Sequence, residues 1–364
     1  MSAPKGRVGR VLAAMEREGA GTLLLTPSSS LKYVLGGGPI VDERLFVLAL
    51  SPGREPFLLA NSLYELEAGE LFAGEKLFWR DGEDPYPLLA RELARRGYPT
   101  ARVAVDKSTQ ARFLLPLMAS LPGAEFTGAG RIIDALRVYK DAEECERLRA
   151  ACRLGDEALE RVMRRGRDWL GRTESEFFAA LAYEMSSLGL AEPGACVCTG
   201  KNAADPHHTA GGDRIEPGCL LVDFGGTFRG YWTDMTRTFW FGEPDAEFRT
   251  VYGIVREANA AAVAAAKPGA RLCDVDAAAR GVIERAGYGE YFIHRTGHGV
   301  GLDVHESPNA DPREQTEIRP SMAFSIEPGI YLPGKFGVRI EDLVLITPTG
   351  PEVLHHYPKE LKEY

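Results

Sequence analysis

The sequence predicts two domains, a layered α/β unit followed by an α+β unit that repeats its own plan. Three observations predict this. Short helical and strand-like stretches alternate through the first part of the chain. A long amphipathic helix signal then opens at Asp141, with Glu144 three residues on as a capping box. Finally, the helix starts Asp141 and Asp245 are 104 positions apart, and so are the carboxylates Asp223 and Glu327. A chain of 364 residues is long enough for two cores.

In order, residues 5–18 read as an amphipathic helix, "TLLL" as a strand, and "RLFVLAL-SPG-REPFLLAN" as a hairpin around Pro52 and Gly53. "PLLARELARRG" reads as a helix, "ARVAVD" as a strand and "ARFLLPLMASL" as a further helix, which implies layered α/β packing. We set the boundary at 138/139, giving domains 1–138 and 139–364. In the second domain, apolar positions 145, 148, 152, 159 and 162 mark one helical face. A second helix is expected from Thr173, with Glu176 three residues later. The repeat opens with "DAEFRTVYGIVREANAAAVAAAKPG", which stops at Lys267-Pro268-Gly269.

Composition narrows the function classes. With 45% hydrophobic and 26% charged residues the chain is ordinary and globular. A net charge of −9 without a basic block argues against a nucleic-acid binder. Glu16 and Arg17 interrupt any apolar leader, and no apolar run is long enough to span a bilayer, so no membrane association is expected. The six cysteines form no C-x-x-C pair. Cys145 and Cys152, seven apart on a helix, read as small buried hydrophobes, and Cys196 and Cys198 alternate along a strand. Free thiols fit a cytoplasmic setting.

The chemistry gathers in two candidate hairpins. "VDFGGTFRGYWTDMTRTFWF", centred between Phe228 and Arg229, would set Asp223 directly opposite Asp234. Opposed side chains have Cβ atoms roughly 4.5–5.5 Å apart, where like charges repel. "AFSIEPGIYLPGKFGVRIEDLVLI", reflected about Gly334, sets Glu327 opposite Glu341. Four carboxylates so placed must be protonated, paired with cations such as Arg237 and Arg339, or bound to metal. All seven histidines lie after residue 206, and "HRTGHGVGLDVHE" supplies His294, His298 and His305 among glycines. Carboxylates with imidazole suit Mn²⁺, Co²⁺ or Zn²⁺, and four carboxylates suggest two such ions sharing oxygens.

"VDFGG…YWTDMTRT", "HRTGHGVGLDVHE", "SIEPGIY" and "GVRIED", in this order, resemble the metallopeptidase family M24 of pita-bread fold. Within it they are most similar to the Xaa-Pro dipeptidase (prolidase) and aminopeptidase P branch. The acidic spacings of eleven and fourteen residues belong to the same pattern. The resemblance implies a creatinase-type N-terminal domain before a pita-bread catalytic domain. It also implies a homodimer whose N-terminal domain rims the partner's cleft, and short proline-containing peptides as substrates. By this resemblance Asp223, Asp234, His298, Glu327 and Glu341 hold the metals, and Glu327 also moves a proton. His207 faces substrate, with His208 the lesser candidate, and His305 stabilises the substrate carbonyl. His294, Tyr331 and Arg339 line the same cleft, Arg339 either contacting substrate or neutralising Glu327 or Glu341.

Dipeptide hydrolysis is the leading expectation, and aminopeptidase P the alternative. Some archaeal dipeptidases carry arginine directly after "HE-x-P", where this chain has Asn309. A metal-free binding module of the same fold would lack ligands, and here all five positions are filled. A non-peptide amidohydrolase remains a lesser alternative. His355 and His356, in a polar C-terminal tail, read as structural. Three further motifs fail. "GIYLPGKF" has Phe336 where a phosphate loop needs Ser or Thr, "GHGVG" lacks the strand and helix of a dinucleotide site, and "SSLK" lacks partner motifs.

Overall fold

The computed structural model describes residues 6–39 and 43–364, and the chain divides into two compact units between Arg137 and Val138. The first unit runs α1 (Arg7–Glu18), β1 (Thr22–Leu25), α2 (Ser29–Leu35), β2 (Val47–Leu50), β3 (Phe57–Asn61) and α3 (Glu65–Leu71). It continues with β4 (Glu75–Trp79), α4 (Pro85–Arg95), β5 (Arg102–Val105), α5 (Ala111–Ser120), β6 (Glu125–Gly128) and a single turn, α6 (Ala135–Arg137). The helix expected from Lys5 begins at Arg7, and Lys5 itself lies outside the described residues. The strands form one mixed sheet in the order β4-β3-β2-β1-β5-β6. The β2–β3 hairpin stands where "SPG" places it, Val47 facing Leu59. "SSLK" (Ser29 to Lys32) is the first turn of α2, which the preceding Ser28 caps by accepting from Leu31 N at 3.2 Å.

The second unit repeats a plan of two helices followed by antiparallel strands. Its first half holds α7 (Ala142–Met163), α8 (Glu174–Ser187), β7 (Ala191–Thr199), β8 (Gly218–Phe228) and β9 (Tyr231–Phe241). Its second half holds α9 (Ala246–Ala265), α10 (Leu272–Arg285), β10 (Gly297–Gly299), β11 (Glu306–Ala310) and β12 (Ala323–Ile326). It closes with β13 (Gly329–Leu332), β14 (Phe336–Arg339), β15 (Asp342–Thr347) and β16 (Gly350–Val353). Reciprocal capping boxes start α7 at Asp141 and α8 at Thr173, and Asp245 caps α9 through Phe248 N at 2.7 Å.

Each helix pair covers a sheet. Leu159, Phe177 and Leu181 of α7 and α8 pack on Val222, Phe224 and Phe239 of β8 and β9. Val255, Ala262 and Val275 of α9 and α10 pack on Phe324, Ile326 and Val344 of β12 and β15. "GIYLPGKF" is the β13–β14 hairpin, with no helix after its glycine. The cysteines are free thiols, and Cys145, Cys152, Cys198 and Cys219 are buried.

Candidate metal centre and cleft

Both hairpins deliver carboxylates to one place, with one change of register. In β8–β9 Phe228 pairs with Tyr231, so Asp223 faces Thr236 and Asp234 faces Gly225. The direct Asp223–Asp234 pairing expected from the sequence is therefore off by two residues. The turn supplies the reason. Arg229 (φ 50°) and Gly230 (φ 83°) both take the left-handed region that a two-residue hairpin loop requires. The two aspartates become diagonal neighbours on one face of the sheet, which relieves part of their repulsion.

The second hairpin has the expected register, but its ladder is broken. Ile326 pairs with Asp342 and Gly329 with Arg339, which leaves Glu327 and Glu341 in the gap between the two ladders. There their side chains are free of sheet geometry and turn toward β9 and β10. His298 sits on β10 between two glycines. A Cβ on Gly297 would overlap the Ser325 carbonyl, and one on Gly299 would lie 2.7 Å from the Glu306 and Ser307 carbonyls. Only glycine lets β10 pass this close to its neighbours and hold His298 in the wall.

Ligand atoms of Asp234, His298 and Glu341 all lie within 4.8 Å of one another, and all three residues are buried. Nε2 of His298 is 3.1 Å from Glu327 Oε1 and 3.7 Å from Asp234 Oδ2. Burial, together with the charges of Glu341, Asp223 and Glu327, pushes the Asp234 carboxyl well above the usual carboxylate range. Burial and the charges of Glu327 and Asp223 do the same to Glu341. Burial also works to raise Glu327, but the hydrogen bond and charge of His298 outweigh it and hold that carboxyl low, at about 2. Oε2 of Glu341 accepts from the Thr236 hydroxyl at 2.7 Å, whereas its buried Oε1 has no hydrogen-bond partner among the described residues. An orphaned carboxylate oxygen among acids forced toward protonation, beside an imidazole nitrogen, fits a divalent cation.

Asp223 stands slightly apart. Its Oδ2 accepts from Arg339 Nη2 at 2.5 Å. Arg339, read from the sequence as either contacting substrate or neutralising Glu327 or Glu341, is thus paired with Asp223, because it reaches across from β14 to the neighbouring β8. Its other donors go to Tyr331 OH at 2.7 Å and Thr236 Oγ1 at 3.1 Å. The Tyr331 hydroxyl, accepting from arginine, is left to donate to His294 Nε2 at 2.7 Å. Nδ1–H of His294 then donates to the Arg295 carbonyl at 2.7 Å. Burial lowers the His294 pKa and so favours this neutral tautomer. Arg237, the other cation considered for the carboxylates, pairs with Asp342 at 2.7 Å.

Asp223, Asp234, His294, His298, Glu327, Arg339 and Glu341 wall a cleft of about 1010 Å³ that also takes in His207, His305, Trp232, Ile293 and Arg295, whereas Tyr331, expected from the sequence to line it, is buried behind His294 and Arg339. The His305 ring packs edge-on against that of His298, centroids 4.1 Å apart, and burial lowers its pKa. His208 does not line the cleft. It donates to buried Glu174 at 2.7 Å, and the same carboxylate accepts from Thr199 N, Gly211 N and Asn202 Nδ2, gathering the loop that carries His207.

His355, read from the sequence as structural, is buried and hydrogen-bonded. Its Nδ1 meets Asp156 at 2.9 Å and its Nε2 donates to the Asp234 carbonyl at 3.0 Å, behind the cluster. The polar composition of residues 355–364 concealed this, since their burial comes from docking beside β9. Tyr364 N donates to Trp240 O at 3.0 Å.

A family model for metallopeptidase family M24 matches residues 146–348. The chain belongs to family M24. A second family model, for the creatinase/prolidase N-terminal domain, matches residues 7–139. Over 365 residues the M24 chain is 39% identical to a probable dipeptidase PepE from Mycobacterium tuberculosis, covering 98% of this chain and 95% of that one. It is 35% identical to an Xaa-Pro dipeptidase from Lactobacillus delbrueckii subsp. lactis, covering 96% of each. The crystal structure of a prolidase from Thermococcus sibiricus superposes with a TM-score of 0.95 at 34% identity, covering 99% of each chain. The fold is therefore the pita-bread fold of this family behind a creatinase-type domain. Family membership also makes the chain a metallopeptidase that uses a divalent metal.

Proposed function

We propose that this chain hydrolyses the peptide bond before proline in Xaa-Pro dipeptides, using two divalent ions drawn from Mn²⁺, Co²⁺ and Zn²⁺. One observation carries the reading: the buried Asp234–His298–Glu341 cluster with its orphaned oxygen, at the floor of a cleft wide enough for a dipeptide. Resemblance along the whole chain to Xaa-Pro dipeptidases supplies the substrate class. Asp223 and Glu327 complete the ligand set.

Divalent cations held there lower the pKa of a water and polarise a carbonyl. The chain's own residues do the rest. Glu327, kept ionised beside His298, accepts a proton at its carboxylate and returns it to the prolyl nitrogen. His305 and His207 donate to the oxygen on which negative charge develops. Arg339 and Tyr331 hold Asp223 and His294 in place. A prolyl nitrogen in peptide linkage has no hydrogen, so a fitted apolar wall must recognise the ring, and Trp232 and Ile293 offer one.

A second reading, release of the N-terminal residue from longer Xaa-Pro peptides, is favoured by two residues. Each of the three guanidinium nitrogens of Arg339 already donates within the site, and Asn309, facing His298 across β10–β11, brings no cation for a free substrate carboxylate. The histidines and Arg295 remain for that task. Ala-Pro and Ala-Pro-Ala, incubated separately with Mn²⁺-loaded protein, separate the readings. Cleavage of the dipeptide is expected. A slow dipeptide beside a fast tripeptide would reverse the order.

A domain boundary at 138/139 is supported by the division of the chain and by the two family matches. Free thiols support a cytoplasmic setting, and no helix among the described residues is long and apolar enough to cross a membrane. Homodimerisation rests on the family alone, and sedimentation of the purified chain tests it.

A further inference from the structure

The backbone carbonyls of Ile326 and Ile340 stand on the two sides of the break in the ladder, each directly before one of the glutamates Glu327 and Glu341. A side chain takes them. Nδ2 of Asn259, on α9, donates to both, at 3.0 and 3.2 Å. Oδ1 of the same amide accepts from Lys359 Nζ at 2.8 Å. Lys359 in turn reaches Asp342 Oδ2 at 2.5 Å. Asn259 is fully buried, and its amide uses both hydrogens and its oxygen.

Local physics disfavours asparagine at this position. The surrounding helix reads "ANAAAVAAA", in which alanine is the better helix former and needs no polar partner. Asn259 also falls on the apolar face of α9, in line with Val251, Val255 and Ala262. A buried amide on such a face is tolerated only when fully paired. Here the pairing is to the two carbonyls directly preceding the two glutamates assigned to metal.

We infer that Asn259 is a positioning residue that sets the separation of Glu327 and Glu341 by tying together the backbone immediately before each. The inference rests on the metallopeptidase reading of those glutamates. Partners that orient ligands in this way typically change metal affinity by about 10–100-fold when removed.

Calorimetric titration of Mn²⁺ into the metal-depleted full chain tests it. N259D keeps the shape and the Lys359 contact but turns an acceptor toward two carbonyls, and N259S is too short to reach either. In variants that stay folded by circular dichroism, Mn²⁺ affinity falls about 10–100-fold, most in N259D. The kcat for Ala-Pro falls more than KM changes. N61S, at a buried asparagine of the first unit, lowers the melting temperature without moving Mn²⁺ affinity. Should both Asn259 variants unfold, K359M removes the brace on the amide oxygen together with the Asp342 ion pair, leaves Asn259 in place, and must weaken Mn²⁺ binding by a smaller factor. Wild-type affinity in a folded Asn259 variant, or in K359M in that case, overturns the inference. A wild-type chain that binds no Mn²⁺ overturns the metal reading beneath it, which is a distinct result.

Discussion

A buried carboxyl with three others beside it is stable only if its charge is removed or matched. Here the two burdens are divided: Asp234 and Glu341 are pushed toward protonation, while Glu327 and Asp223 find His298 and Arg339. Glu327→Gln tests the proton-moving role. It should bind Mn²⁺ more weakly in calorimetry, as the loss of a ligand requires, and at saturating Mn²⁺ hydrolyse Ala-Pro at least about a hundredfold more slowly, the usual loss when a general base is removed. Near-normal turnover would remove Glu327 from that role. Gly297→Ala tests the close approach of β10. A methyl meeting the Ser325 carbonyl should lower unfolding stability by about 1–3 kcal/mol, read by denaturant titration, and weaken Mn²⁺ binding with it. The four acids and one histidine of the candidate centre could be singled out because each sits in a short motif. The partner of Arg339 was not legible, since a side chain crossing from β14 to β8 leaves no mark in local spacing. Asn259 left a trace, a lone amide in the apolar stripe of α9, that points to a buried partner without naming it.

At the scale of elements, capping chemistry and turn chemistry did most of the specifying. Asp141 and Thr173 start helices where their capping boxes place them, because a side-chain oxygen three residues from a glutamate satisfies amides nothing else can reach. The β8–β9 register was misjudged because "GGTFRG" contains several glycines, and only backbone angles distinguish Arg229–Gly230 as the loop. Strands β4 and β6 escaped notice because they are short, half-exposed edges without a clean alternation. The three residues of β10 escaped because glycine has no strand propensity, and packing alone makes them a strand. Helix α4 offers a pH test. Hydrogen bonding from Arg95, helped by Arg96, holds the Glu92 carboxyl below its ordinary value against the opposing effect of burial. A depressed folded pKa contributes stability above the unfolded value, and that contribution is lost as pH falls through the lowered one. Glu92→Gln should therefore cost about 0.5–1 kcal/mol at pH 7, with the gap to wild type closing below about pH 4 in urea titrations.

For the whole molecule, the duplicated plan of the second unit was readable from the equal offsets of Asp141 to Asp245 and Asp223 to Glu327. An offset of that kind survives only when helices and carboxylates occupy matching places in both halves. How the two halves meet at the cleft was not readable, because it depends on how β9, β10 and the broken hairpin come together. A centre that crowds acids without a cation should gain stability from metal. Binding at 100 times Kd adds about 2.7 kcal/mol to the folded state, so Mn²⁺ should raise the calorimetric melting temperature of chelator-treated protein. The most direct measurement is alanine release from Ala-Pro as metal-depleted protein is titrated with Mn²⁺. Metal-dependent Xaa-Pro hydrolysis by a two-ion centre predicts no release without metal and a rise that saturates near two ions per chain. Release undiminished in chelator, or none once the Asp234–His298–Glu341 cluster is saturated, would contradict it.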